Sequence, residues 1–178
     1  MIGIEGNIGT GKTLYLVRCL KQDSDNKKNI YTNLDLKGIK HKNFDIDEFL
    51  TGDNNKELFN ATIGLDEITV MMDCRLGSSK QNLLMGYLVL QSRKRNIDIY
   101  YTTQSLDLVD YKRLVKYTSY IVFCEKFPEE SMEDFRKYSF FDTYNQTFNQ
   151  KYMDIRPFYK YYDTNQIIEP LVKWKKKK

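Results

Sequence analysis

The sequence is poor in the residue types on which several common active sites depend. Its 178 residues include one histidine, His41, and three widely spaced cysteines, Cys19, Cys74 and Cys124. A single histidine argues against a histidine-based metal centre and against a serine–histidine–aspartate triad. The cysteine spacing fits neither a disulfide framework nor a pair of metal ligands. We therefore expect a protein of a reducing compartment that carries out its chemistry without histidine.

Long hydrophobic runs are also missing. No stretch approaches the roughly 18–20 consecutive apolar residues of a membrane helix, and the start of the chain lacks the pattern of a secretory signal. Hydrophobic residues make up 41% of the chain and charged residues 29%, which is typical of a globular domain. These features predict a cytoplasmic protein without an integral membrane segment.

Positive charge is concentrated at the C-terminal end. The net charge is +4, and lysines at positions 173 and 175–178 supply more than this excess. Such a tail can bind nucleic acid phosphates through counterion release, although a solvated tail without a partner explains it equally well. We predict one domain over residues 1–172, with a core at 1–125, a β-rich extension at 126–172 and a basic tail at 173–178.

Apolar segments alternate with helical patterns along the first two thirds of the chain. Strands are predicted at 2–5, 29–36, 61–65, 97–103 and 120–124, and helices at 12–21, 45–50, 80–96 and 110–117. The apolar side of the third helix is predicted to consist of Leu83, Leu84, Tyr87, Leu88 and Leu90. This alternation indicates a mostly parallel sheet flanked by helices. Residues 135–168 are aromatic without helical spacing, so we expect a C-terminal antiparallel β extension.

One segment matches the phosphate-loop pattern G-x-x-x-x-G-K-[ST] in full and lies between a predicted strand and a predicted helix. Its residues are Gly6, Asn7, Ile8, Gly9, Thr10, Gly11, Lys12 and Thr13. Backbone N–H groups of such a loop point at a bound anion, helped by the positive end of the helix dipole. We expect Lys12 to contact the β- and γ-phosphates and Thr13 to ligate Mg²⁺, which makes ATP and Mg²⁺ the predicted cofactors.

An apolar segment that ends in two carboxylates supports the same chemistry. Asp66 follows the strand predicted at 61–65 and can hold the metal through water, and Glu67 is placed to deprotonate a water that attacks the γ-phosphate. An exposed acidic turn after a buried strand is the alternative interpretation.

The strand at 29–36 separates the phosphate loop from this acidic strand in sequence. The arrangement fits the RecA-like, additional-strand class of P-loop NTPases. In that class a polar residue at the end of the next strand senses the γ-phosphate, and Gln104 occupies this position. A polar strand terminus without a catalytic role is the alternative.

Phosphoryl transfer often uses an arginine from elsewhere to neutralise developing charge. Arg113 follows Gln104, and Arg93 and Arg95 precede the strand that ends there. We predict Arg113 or Arg93 as an arginine that acts in trans, with a surface or salt-bridge role as the alternative for each.

These motifs resemble those of the FtsK–HerA superfamily of DNA-pumping ATPases over about residues 1–125. The resemblance rests on the phosphate loop, on Leu-Asp-Glu at 65–67 and on the block at 92–104 that ends in Thr-Thr-Gln. The small size is most similar to viral genome-packaging ATPases, and residues 30–34 are also similar to Zot-like proteins of filamentous phages. This resemblance implies ATP hydrolysis, a homo-oligomeric ring (hexamer or pentamer), double-stranded DNA as substrate, a capsid vertex or portal partner, and the host cytoplasm as location.

Two departures from the family pattern affect what it implies. Ser105 stands where FtsK-type motors often carry an arginine, which weakens the assignment of the trans arginine. Zot-like proteins usually have a membrane segment after the ATPase region, and its lack here favours DNA packaging over phage extrusion. A Zot-like assembly ATPase and a small-molecule or nucleotide kinase stay open as alternatives, although no arginine-rich lid is evident for a kinase.

Overall fold

The computed structural model describes residues 1–46, 58–126, 134–166 and 168. Eight strands form one sheet in the order β3-β2-β4-β5-β1-β6-β7-β8. The strands are β1 (Ile2–Glu5), β2 (Asn29–Thr32), β3 (Lys42–Asn43), β4 (Ala61–Leu65), β5 (Ile97–Thr103), β6 (Tyr120–Lys126), β7 (Phe135–Asp142) and β8 (Thr147–Asp154). Two α-helices lie wholly within these described ranges, α1 (Lys12–Asp25) and α2 (Lys80–Ser92).

The strand β5 lies between the strand of the phosphate loop and the strand of the acidic pair. β1 pairs in parallel with β5 and β6, and β4 pairs in parallel with β5 and β2. The predicted additional-strand order is thereby confirmed. Because parallel strands end at the same edge of a sheet, the phosphate loop, the acidic pair and the end of β5 share the carboxyl edge.

Each face of the sheet packs against its own apolar cluster. One cluster joins α1 to β1, β2 and β6 and includes the fully buried Leu16 and Leu20. The other joins α2 to β4 and β5 and includes Met85 and Tyr101. Burial of a leucine side chain contributes about 1.5–3 kcal/mol, so both helices are held by packing against the sheet, as the α/β pattern predicted.

The predicted antiparallel extension is confirmed as β7 and β8, which continue the sheet beyond β6. Its inner face packs on α1, where the ring centroid of Tyr15 lies 4.8 Å from that of Tyr138 and 5.9 Å from that of Phe140. Aromatic pairs in this range contribute beyond their buried area. The aromatic residues of this region therefore serve in part to anchor the extension to the core.

After β8 the chain crosses α1 and reaches the end of β2. We call residues 156–166 the strap. It begins as the 3-10 helix Arg156–Tyr161 and then forms a bridge between Tyr162 and Leu36. The N–H of Lys37 donates to the carbonyl of Tyr161 at 2.7 Å, and the N–H of Asp35 donates to Oε1 of Gln166 at 2.9 Å. The sequence predicted strands here and gave no indication of this crossing.

The predicted apolar side of α2 is wrong for three of its five residues. Leu83, Tyr87 and Leu90 are each more than half exposed, while the buried face consists of Asn82, Met85, Gly86, Leu88 and Val89. Apolar residues surround this helix on most sides, so spacing alone does not identify the buried face. The buried Asn82 donates through Nδ2 to the carbonyl of Asp73 at 3.1 Å, which makes a polar residue part of the inner face.

Other element boundaries also differ from the prediction. Helix α1 continues to Asp25, beyond the predicted end at 21, and β2 stops at Thr32. The helix predicted at 110–117 is a turn followed by the 3-10 helix Val115–Tyr117. Residues 47–50 of the helix predicted at 45–50, and the basic tail predicted at 173–178, lie outside the described residues.

Within the described ranges, no helix has the length and apolar character needed to span a membrane.

A glycine on β4 creates the space that α1 needs in order to approach the sheet. A Cβ added to Gly64 would lie 2.6 Å from Cδ2 of Leu20, a side chain that is fully buried. We expect Gly64→Ala to lower the free energy of unfolding by about 1–3 kcal/mol through overpacking, measured by urea denaturation. Gly77→Ala is the control, because the nearest atom there is 3.6 Å away, and its effect should stay within about 0.5 kcal/mol. Equal effects of the two substitutions would contradict this account of the α1–β4 contact.

Candidate nucleotide-binding site

The phosphate-loop sequence forms the turn between β1 and α1. Two of its glycines adopt left-handed backbone conformations, with φ of 75° at Gly9 and 92° at Gly11. Residues with a Cβ rarely adopt these angles. The Thr10 hydroxyl donates to the carbonyl of Asn7 at 2.8 Å and closes the turn. The loop thus has a fixed backbone, with α1 beginning directly after it at Lys12.

Lys12 is buried beneath the loop, with only 6% of its surface exposed. Its ammonium group donates to the carbonyl of Asn7 at 3.0 Å. A buried ammonium requires a hydrogen-bonding partner, and a single carbonyl leaves two of its three donors available for other acceptors. The side chain is therefore placed to receive phosphate oxygens where the sequence predicts them.

Thr13 and Asp66 meet although they are 53 residues apart in sequence. The Thr13 hydroxyl lies 3.1 Å from Oδ1 and 3.0 Å from Oδ2 of the Asp66 carboxylate. A hydroxyl oxygen beside a carboxylate is a donor set that suits Mg²⁺, which usually takes one or two protein oxygens and completes its shell with water and phosphate. Within the described ranges no group of three or more histidine, cysteine, aspartate or glutamate side chains forms a separate metal site. The predicted pair therefore fits a Mg²⁺ that is bound together with a nucleotide.

The Asp66 carboxylate is held by residues that the sequence analysis did not select. The Thr102 hydroxyl donates to its Oδ1 at 2.7 Å. The Asn33 side chain brackets the Asp66 backbone, because its Nδ2 donates to the carbonyl and its Oδ1 accepts from the N–H, both at 2.8 Å. Burial raises the pKa of Asp66, and the hydrogen bonds from Thr102 and Thr13 oppose that shift. Thr102 and Asn33 are polar residues at or next to the ends of buried strands, and this pattern is the sequence signal that could have identified them.

Glu67 directly follows Asp66 and adopts a left-handed conformation with φ of 49°. Its N–H donates to the Thr102 hydroxyl at 2.9 Å, which fixes the backbone, and its half-buried side chain lines the cleft that also contains Lys12. Burial raises the pKa of Glu67, the nearby Asp66 raises it further, and Lys12 lowers it. A carboxylate with a raised pKa is a better proton acceptor, which suits the predicted role as general base.

A cleft of about 540 Å³ contains most of the predicted site. Lys12, Thr13, Asp66 and Glu67 line one part of it. A further part of the wall comes from the extension and the strap, and the polar and aromatic residues of that part are Arg136, Tyr159, Tyr162, Thr164 and Gln166. None of these five was predicted as a site residue, because they lie more than 120 positions from the phosphate loop in the sequence.

Gln104 lies at the same edge of the sheet but outside this cleft. Its exposed side chain lines a neighbouring cleft of about 520 Å³ together with Glu5, Gly6 and Asn7. Gln104 therefore lies near Gly6 and Asn7 of the phosphate loop but does not line the cleft that contains Glu67. Its role as a γ-phosphate sensor stays a prediction.

The two candidate arginines lie in different places. Arg93 lies at the amino edge of the sheet beside Met1 and Asn96, and β5 separates it from the carboxyl edge by seven residues, or about 20 Å. Arg113 donates through Nη1 to Asp110 at 2.6 Å and packs against Gly86 of α2. Neither side chain lines the cleft that holds Lys12, so a catalytic role for either one requires a second copy of the chain and stays a prediction.

The hydroxyl of Thr102 links the acidic pair to β5, and we predict that its loss destabilises the protein. Thr102→Val keeps the shape of the side chain but removes both hydrogen bonds, which leaves a buried carboxylate oxygen and a backbone N–H without this partner. We expect the free energy of unfolding to fall by about 1–3 kcal/mol in metal-free buffer. Thr102→Ser retains the hydroxyl and should recover most of the loss. Equal stability of the valine and serine variants would refute the assigned role of this hydroxyl.

The sequence matches no protein-family model and no curated protein, but solved structures match in fold. The N-terminal domain of the zonular occludens toxin from Neisseria meningitidis is 18% identical, with 91% of this chain and 98% of that chain covered and a TM-score of 0.64. The genome-packaging NTPase B204 from Sulfolobus turreted icosahedral virus 2, in complex with ATP-γS, is 10% identical over 84% and 95% of the two chains, with a TM-score of 0.59. A KaiC-like protein from Pyrococcus horikoshii is 13% identical over 85% and 82%, with a TM-score of 0.54. The chain therefore has the RecA-like P-loop NTPase fold, and its predicted resemblance to packaging and Zot-like ATPases is confirmed at the level of the fold.

Proposed function

We propose that this protein hydrolyses ATP in the presence of Mg²⁺ and uses the energy to move double-stranded DNA. The observation that carries the hydrolysis is the cleft in which Glu67 faces Lys12 beside the Thr13–Asp66 pair. These groups supply a general base, a phosphate ligand and a metal site within one cleft. Fold similarity to B204, which was solved with an ATP analogue, supports ATP as the nucleotide.

In the proposed reaction a water oxygen attacks the γ-phosphorus. The bond between that phosphorus and the β–γ bridging oxygen breaks, so the products are ADP and phosphate. Glu67 accepts the proton of the attacking water, and Lys12 stabilises negative charge on the β- and γ-phosphates. Thr13 and Asp66 would hold Mg²⁺, which supplies positive charge toward the phosphate oxygens.

The position of Glu67 supports hydrolysis rather than transfer to another substrate. Thr102 fixes its backbone, and its side chain lines the same cleft as Lys12. A carboxylate next to Asp66 at the end of this strand is placed to accept the proton of an attacking water, and the sequence shows no arginine-rich lid of the kind expected for a kinase. We therefore prefer an ATPase to a small-molecule or nucleotide kinase.

The more specific part of the proposed function is that ATP hydrolysis drives the movement of double-stranded DNA. Its support is the fold likeness to a protein described as a genome-packaging NTPase, over 84% of this chain, together with the motif resemblance in the sequence. On this basis the substrate is double-stranded DNA, the assembly is a ring of identical chains, and the partner is a capsid vertex or portal protein in the host cytoplasm. The ring would place an arginine of one chain at the nucleotide site of the next.

Fold similarity to the zonular occludens toxin domain supports a second candidate function. The zonular occludens toxin domain covers 91% of this chain with a TM-score of 0.64, and the segment 30–34 that resembles Zot-like proteins contains Asn33, which brackets the Asp66 backbone. In this alternative the same ATPase would serve the assembly of a filamentous phage. The two functions differ in whether double-stranded DNA stimulates hydrolysis.

The base assignment predicts a selective loss of turnover. We expect Glu67→Gln to lower the rate of Mg²⁺-dependent ATP hydrolysis by about 10²–10⁴-fold while ADP binding is retained, since the phosphate loop is unchanged. Glu125→Gln is the control, because this exposed glutamate lies on β6 beside Lys137. Steady-state phosphate release with and without double-stranded DNA measures both effects. A rate that DNA does not raise at any protein concentration would favour the Zot-like alternative, and full activity of Glu67→Gln would contradict the assigned base.

Mixing of inactive variants tests the trans arginine. We favour Arg93, because the guanidinium of Arg113 already pairs with Asp110 in its own chain. Arg93→Ala and Lys12→Ala should each be inactive alone, and their mixture should regain part of the ATPase activity. In mixed rings an Arg93→Ala chain keeps an intact phosphate loop and receives Arg93 from a Lys12→Ala neighbour.

The control mixture combines Lys12→Ala with Glu67→Gln. Both residues act within one cleft of one chain, so no mixed interface restores a complete site and activity should stay absent. If Arg113→Ala, rather than Arg93→Ala, is rescued by Lys12→Ala, the trans arginine is Arg113.

A further inference from the structure

The cleft is larger than the reaction at the phosphate end requires. Hydrolysis uses Lys12, Thr13, Asp66 and Glu67, whereas a further part of the wall is made by β7 and the strap. Both of these elements come from the region after residue 134. Their presence in the cleft calls for a function distinct from phosphate chemistry.

Arg136 on β7 lies against the outer side of the phosphate loop. A Cβ placed on Gly11 would lie 3.1 Å from Cγ of Arg136 and 3.1 Å from the hydroxyl oxygen of Tyr138. The Tyr138 hydroxyl also donates to the carbonyl of Gly11 at 3.3 Å, and Nη1 of Arg136 donates to the carbonyl of Phe135 at 2.8 Å. The planar guanidinium is therefore held next to the loop on a strand that is fixed to it.

Two tyrosines of the strap form the facing part of the wall. Tyr159 is 41% exposed, and Tyr162 is half-buried. Burial, followed by the charge of Asp66, raises the pKa of Tyr162 to about 12, so its phenol stays neutral. The hydrogen bonds of the strap to the end of β2 fix the backbone that carries both tyrosines, and the partly exposed Tyr159 ring presents an aromatic surface to the cleft.

We propose that the nucleoside half of ATP binds between Arg136 and the strap, with its base stacked on the flat surfaces of Arg136 and Tyr159. This inference rests on the proposed function, because the loop must hold the phosphates for the base to reach this part of the cleft. Aromatic rings and guanidinium planes both stack on nucleobases, and one such contact contributes appreciably to binding. The extension and the strap then serve as the nucleoside-binding wall of the site.

The test compares two ligands that share the phosphates and differ in the nucleoside. ADP and inorganic tripolyphosphate are titrated into the full chain in the presence of Mg²⁺ by isothermal calorimetry. We expect Tyr159→Ala and Arg136→Lys to weaken ADP binding by about tenfold each and to leave tripolyphosphate binding within about twofold. Lysine keeps the positive charge of Arg136 but lacks its plane, so the second variant separates stacking from charge.

Matched controls lie outside the cleft. Tyr144→Ala removes a tyrosine that is 90% exposed at the β7–β8 turn, and Arg75→Lys alters an exposed arginine that pairs with Asp73 far from the strap in sequence. Neither should change the affinity for ADP. Lys12→Ala should weaken both ligands.

Each remaining outcome has a definite meaning. Unchanged ADP affinity in Tyr159→Ala and Arg136→Lys would overturn the nucleoside subsite while leaving the ATPase proposal intact. Equal weakening of ADP binding and tripolyphosphate binding would also overturn the nucleoside subsite, since the two residues would then act on the phosphates or on the fold. A wild-type chain that binds neither ligand would refute the proposed function itself.

Discussion

The buried carboxylate of Asp66 is the interaction on which the rest of the site depends. A carboxylate removed from water is unfavourable unless hydrogen bonds compensate for its lost hydration. Here those bonds come from α1 through Thr13 and from β5 through Thr102, while Asn33 fixes the backbone from the end of β2. The requirement to satisfy one charge therefore joins three separate elements to the end of β4. The alignment of the phosphate loop with the acidic strand is a consequence of the same bonds.

This arrangement also sets the electrostatics of the cleft. Asp66 and Glu67 are adjacent, and each has a raised pKa because burial disfavours its charged form. Lys12 opposes the shift at both residues. A cation that enters with a polyphosphate would favour ionisation of Asp66, because an opposite charge nearby stabilises a carboxylate. The site is thus suited to bind metal and nucleotide together, with the carboxylates and the phosphates sharing the positive charge.

The local part of the site could be predicted from the sequence because its residues are adjacent there. The phosphate loop, the acidic pair and the strand order followed from short motifs and from the alternation of elements. The strap could not be predicted in this way, since it depends on contacts such as that of Gln166 with Asp35, which are 131 positions apart. The prediction of the buried face of α2 was wrong for another reason. The buried Asn82 is polar and three exposed residues are apolar, so periodicity identified the wrong side.

The strap contacts Asn33, the residue that positions the backbone of Asp66. Nε2 of Gln166 donates to the carbonyl of Asn33 at 3.3 Å, and the side chain of the same Asn33 brackets the backbone of Asp66. Any displacement of the strap must therefore strain or break contacts of the residue that positions the acidic strand. The strap also forms part of the wall of the cleft. A ligand that displaces the strap therefore shifts Asp66 through the contacts of Gln166 with Asn33 and of Asn33 with Asp66. The crossing of the chain over α1 accordingly links the strap side of the cleft to the position of the Asp66 carboxylate.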